Sequence, residues 1–100
     1  MKIDIQTINF EAGSQLVEMV NDSIKKLSEI ESKITGVDVY LKSLPNPEQL
    51  TKTVELPLYV PGNDLYAEHH SDTFDEALSQ TYKKLRGQII KRKDMMQSRN

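Results

Sequence analysis

Ile3 and Ile5 alternate with Lys2, Asp4 and Gln6, and a period of two places both isoleucines on one face of a half-buried strand. Past Gly13 the period lengthens. Leu16, Val20, Ile24 and Leu27 recur every three or four residues, as in a helix that buries one stripe, and Glu18, Asp22, Lys25, Lys26 and Glu29 fall outside it. The pattern predicts a helix over 14–30, with Ser14 as its N-cap, fraying near Ser32 before Gly36 stops it. Val37, Val39 and Leu41 restore the alternation as far as Pro45-Asn46-Pro47, where two prolines predict a turn or longer loop. Val54, Leu56, Leu58 and Val60 form a third strand in which Pro57, lacking a backbone donor, implies a bulge or an edge position. The turn chemistry of Pro61-Gly62-Asn63-Asp64 leads into Leu65, Ala67 and His69, one face of a short fourth strand that makes a hairpin with the third.

A second helix is predicted over 73–94. Asp72 or Thr73 caps it, Thr73 and Glu76 have capping-box spacing, and Asp75 adds negative charge at the positive end of the helix dipole. Its stripe is Phe74, Leu78, Thr81, Leu85 and Ile89, flanked by Ala77 and Tyr82, with Gly87 on the opposite face. The order strand, helix, three strands, helix predicts an α+β domain, β-α-β-β-β-α, in which a four-stranded sheet carries both helices on one face. If the first two strands are parallel neighbours, their crossover is right-handed. The expected organisation is one domain over 1–94 and a flexible tail over 95–100, where apolar periodicity ends.

Charge changes the picture. The net charge is -2, yet residues 1–70 hold six lysines against eleven acids, while residues 71–100 hold seven basic residues against four acids. No acid lies between Lys83 and Lys93, a concentration that points to a polyanionic partner. Lys84 and Lys91 share one flank of the second helix's stripe, and Arg86 and Lys93 share the other. Two rows spread over roughly 15 Å suit several phosphates better than one small anion. The plainer reading is a solvated helix end whose cations complement the macrodipole. Lys25 and Lys26 extend the patch if the two helices are neighbours.

Composition excludes other classes. With 37% hydrophobic and 28% charged residues the chain should fold, and the absence of Cys removes disulfides, thiolate nucleophiles and thiolate metal sites and favours a cytoplasmic setting. No stretch reaches the roughly 18 apolar residues of a membrane span, and residues 1–13 have no signal-peptide pattern. His69 and His70 are adjacent on a strand and point to opposite faces, so they do not chelate one metal ion. Asp72, Asp75 and Glu76 are explained by capping rather than acid–base chemistry. Neither a phosphate loop nor a nucleophile elbow is present, so no cofactor, small-molecule substrate or enzymatic activity is expected. Tyr40, Tyr59, Tyr66 and Tyr82 offer stacking surfaces, but without an RNA-recognition consensus they read as amphipathic sheet and helix residues.

Asp72-Thr73-Phe74-Asp75-Glu76-Ala77-Leu78, Lys84-Leu85 and Gln88-Ile89-Ile90-Lys91-Arg92-Lys93-Asp94, with Leu16, Val20, Lys26-Leu27, Val37 to Lys42 and Gly62, resemble the ribosome hibernation promoting factor family. It is also called the sigma-54 modulation or ribosome-associated inhibitor A family. The resemblance implies a domain similar to double-stranded-RNA-binding domains, seated in the decoding region of the small ribosomal subunit. By position it makes Lys84, Lys91, Arg92 and Lys93 rRNA contacts of the second helix and Lys26 one of the first; Lys25, Lys83 and Arg86 complete the candidate set. Val17, Asp22 and Ser23 depart from the family's more basic first helix, and the C-terminal extension that dimerises long members is absent, which implies a short form. The expected role is a translation inhibitor of idle ribosomes under stress, with a helper protein as a further partner. The alternative is a regulatory module that binds a protein such as a sigma factor through the sheet or the first helix.

Overall fold

The structure, a computed structural model, describes residues 1–44 and 51–97. Its elements are β1 (Lys2–Ile8), α1 (Ser14–Ile30), β2 (Gly36–Ser43), β3 (Lys52–Tyr59), β4 (Leu65–Ser71) and α2 (Phe74–Gln97). The strands form one sheet in the order β1-β2-β3-β4. β1 and β2 are parallel, and both other pairs are antiparallel. Val37, Val39, Leu41, Val54, Leu56, Leu58, Leu65 and Ala67 are buried with Val20, Ile24 and Leu27 of α1 and Ala77, Leu78, Leu85 and Ile89 of α2 in one core. This is the expected α+β layering.

Several local expectations are corrected. Gly13, not Ser14, is the N-cap of α1, and it supplies no side-chain cap; the Val17 N–H reaches its carbonyl at 3.2 Å. The helix ends at Ile30, its cap residue Glu31 having left helical geometry, so Gly36 is not the stop. Gly36 opens β2 instead, where a Cβ would stand 3.3 Å from the Lys2 carbonyl and 3.6 Å from the Tyr59 ring. That approach is tight, so a side chain here would push the Lys2 carbonyl back by a few tenths of an ångström.

Pro57 occupies neither a bulge nor an edge. β3 lies inside the sheet, and its register with β2 is the same on both sides of the proline, so no residue is inserted. The β2 ladder skips Asp38 and Val39, opposite Pro57 and Leu56, while the pairing of Pro57 with Tyr66 of β4 is kept. A short gap in one ladder accommodates the missing donor. β3 starts earlier and ends one residue sooner than the pattern implied, and β4 runs on to Ser71. α2 continues past Asp94 to Gln97, because Met95, Met96 and Gln97 are good helix formers and no breaker intervenes. The expected turn at Pro45-Asn46-Pro47 and the last three residues of the expected tail lie outside the described residues.

At the start of α2 the Thr73 hydroxyl accepts the Glu76 N–H at 3.2 Å. Only this half of the box forms, since the Glu76 carboxylate accepts from Gln80 at 2.8 Å. Thr81, the polar member of the stripe, is buried and donates to the Ala77 carbonyl at 2.7 Å, so its hydroxyl costs the core little.

Candidate nucleic-acid interface

α1 and α2 lie side by side with their C-terminal ends together. Met19, Asp22, Ser23 and Lys26 of α1 and Asp75, Leu78, Ser79, Tyr82 and Lys83 of α2 line one shallow groove between them. Lys26 and Lys83 therefore share a surface, as the neighbouring-helix condition required, and Arg86 follows Lys83 by about one turn. Lys25 points away from α2, on the outer side of α1. Lys25, Lys26, Lys83, Arg86 and Lys91 are exposed.

The remaining basic residues of α2 are already engaged. The Lys84 ammonium donates to the Glu68 carbonyl of β4 at 2.7 Å and stands 3.2 Å from His69 Nδ1. Arg92 makes a 3.3 Å ion pair with Glu31 and donates to the Pro61 carbonyl at 2.9 Å. Lys93 donates to the Ile30 carbonyl. The last turn of α1 has no basic residue of its own, so Arg92 and Lys93 of α2 serve the negative end of the α1 dipole. They do not serve their own helix end, because α2 runs on to Gln97 and its last turn holds no cation.

The two predicted rows thus have a mixed composition. On the β4 flank Lys84 is anchored, and Lys91, without a partner among the described residues, lines an open groove with Gly62, Asn63, Leu65, Gln88, Arg92 and Met95. On the α1 flank Arg86 has no partner among the described residues, and Lys93 is exposed, yet bonded to the Ile30 carbonyl. Sequence reading missed Glu31, the buried carboxylate that holds Arg92. A signal existed. Glu31 continues the Val20, Ile24, Leu27 spacing, and Arg92 continues Leu85, Ile89, so two charged residues in phase with apolar stripes face the same interior and meet.

The opposite face of the sheet is polar and has no helix. Tyr59 donates to Asp38 at 2.7 Å, Tyr66 donates to Glu68 at 2.8 Å, and Lys42 pairs with Glu55 at 2.5 Å. The bond to Asp38, followed by burial, pushes the Tyr59 hydroxyl up to about 12. His70 is on this face with Thr53, at 2.8 Å, and His69 is on the helix side, so the two rings do diverge. Among the described residues no group of three or more His, Cys, Asp or Glu is placed to hold a metal ion, and no helix is long and apolar enough to cross a membrane.

The model of the sigma 54 modulation protein / S30EA ribosomal protein family matches residues 3–97. The chain belongs to this family of ribosome-associated proteins. No curated protein matches it. Among solved structures, a ribosomal subunit interface protein from Coxiella burnetii superimposes with a TM-score of 0.80 at 21% identity, over 94% of this chain and 99% of that one. The N-terminal domain of Thermus thermophilus Protein Y gives 0.69 at 16% identity, over 88% and 91%. At these identities the likeness shows a shared fold.

Proposed function

We propose that this chain binds small-subunit rRNA near the decoding region and silences or protects idle ribosomes in the cytoplasm under stress. One observation carries the reading: Lys26, Lys83 and Arg86, exposed and without a partner among the described residues, gather on two adjacent helices beside Asp22 and Asp75, with Lys25 and Lys91 at the margins, while the acids of the sheet lie on the other side. Phosphates spaced along an RNA backbone match a dispersed set of ammonium and guanidinium groups, and such binding weakens as salt rises. Anchored Lys84 and Lys93 contribute positive field, and Arg92, its charge offset by Glu31, helps hold the two helices in place.

The test is sedimentation of a stationary-phase lysate through a gradient at low and high salt. Co-migration with small subunits or whole ribosomes at low salt, lost at high salt, is expected. A chain found only at the top of the gradient overturns the reading and favours the protein-interaction module. Loss of co-migration in a Lys26→Glu, Lys83→Glu double variant that keeps its thermal midpoint assigns the contact to the inter-helix surface.

A further inference from the structure

The two edges of the sheet differ. At β4 the outward carbonyls of Tyr66 and Glu68 are filled by Gln88 (2.8 Å) and Lys84 (2.7 Å) of α2. At β1 nothing comparable exists among the described residues. The Lys2 N–H points inward to the Thr35 carbonyl, at 3.1 Å, and alternate residues of a strand direct their backbone groups to opposite sides. Ile3, Ile5 and Thr7 therefore present their N–H and C=O groups to the open edge. This edge is seven residues long, contains no proline, pairs in unbroken register with β2, and leaves Ile3 38% and Ile8 39% exposed. A long straight edge of this kind is a template for another strand.

We propose that β1 pairs antiparallel with β1 of a second copy, joining two sheets into one of eight strands. A second copy is favoured because the blocked β4 edge prevents head-to-tail growth, so β1 against β1 is the contact that closes as a symmetric dimer. Centred on Ile5, the pairing uses all seven residues. It sets Ile3 opposite Thr7 as hydrogen-bonded pairs and Asp4 opposite Gln6, whereas centring on Asp4 opposes two carboxylates. Both copies then carry their helices on the same side of the sheet. The contact is small, so the dimer belongs to the weak, concentration-dependent class. This inference does not depend on the rRNA reading.

Analytical ultracentrifugation of the purified full chain tests it. The apparent mass is expected to rise with concentration from that of the monomer toward twice that value. Thr7→Pro removes an outward N–H without taking a bond from β2, and it should hold the chain at monomer mass with its thermal midpoint retained. Should that variant misfold, Ile3→Lys at the exposed edge should do the same. Because the chain has no Cys, Asp4→Cys and Gln6→Cys report the register on the exposed face. Opposed Cα atoms at such positions stand about 4.5 Å apart, within disulfide range. Oxidation of the mixture should give a cross-linked dimer absent from either variant alone. A parent chain that stays monomeric at the highest concentration, or Asp4→Cys that joins to itself, overturns the proposal.

Discussion

Lys83, Arg86 and Lys91 of α2 are exposed and have no partner among the described residues, while Lys84, Arg92 and Lys93, interleaved with them, hold α2 to β4, to the Pro61 turn and to the end of α1. The residue types are the same and the helix is the same. What separates the two sets is the angular position of each residue and whether a carbonyl or carboxylate of another element lies within reach. A cation-rich helix is therefore not one functional surface. One set bonds carbonyls or a carboxylate of other elements, and the other has no such partner among the described residues.

The comparison can be broken most severely beneath both sets. Leu85, between Lys84 and Arg86, is fully buried, and Leu85→Ala should cost about 2 to 5 kcal/mol in chemical denaturation, a large share of a small domain's stability. Arg92→Ala comes next. It leaves the Glu31 side chain, 8% exposed, without its charged partner, and should cost about 1 to 3 kcal/mol; replacing both residues with Met should recover part of that loss. Lys93→Ala removes one exposed bond at the C-terminal end of α1, worth about 0.3 to 1 kcal/mol by the same measurement. A Lys91→Glu, Lys93→Glu double variant changes two exposed residues, but it mixes one anchored residue with one that has no partner among the described residues and reports on neither cleanly.

The free set should show the smallest effect on stability and the clearest effect on binding. Lys83→Ala, Arg86→Ala and Lys91→Ala should each stay within about 0.5 kcal/mol of the parent. Each residue that neutralises a phosphate should, when replaced, lower the logarithmic salt slope of RNA binding by about 0.7 to 0.9. A flat salt response in the parent, or a free-set variant that unfolds the domain, would collapse the distinction between the sets.

Much of the fold was legible because it depends on periodicity. The span of α1, the turn at Gly62 and the Thr73 cap all follow from spacing and local chemistry, whereas the parallel pairing of β1 with β2 entered the sequence reading only as a condition and is supplied by the sheet register. Pro57 was misplaced because a rule about one missing donor does not say which neighbour would have received it; here the gap falls on the β2 side alone. Gly36 was misread because its reason is a backbone carbonyl from β1, a residue distant in sequence.

The sequence by itself determined the element order, the buried stripes and the concentration of positive charge in the last helix, since these depend on the side chain and its near neighbours along the chain. The tertiary structure decided which cations remain free, that Lys26 meets Lys83 across the helices, and that β4 is closed at its edge while β1 is open. The anchored cations and the closed β4 edge turn on partners 16 to 63 residues away, and at that separation only the packing of the helices on the sheet brings donor and acceptor within hydrogen-bonding distance.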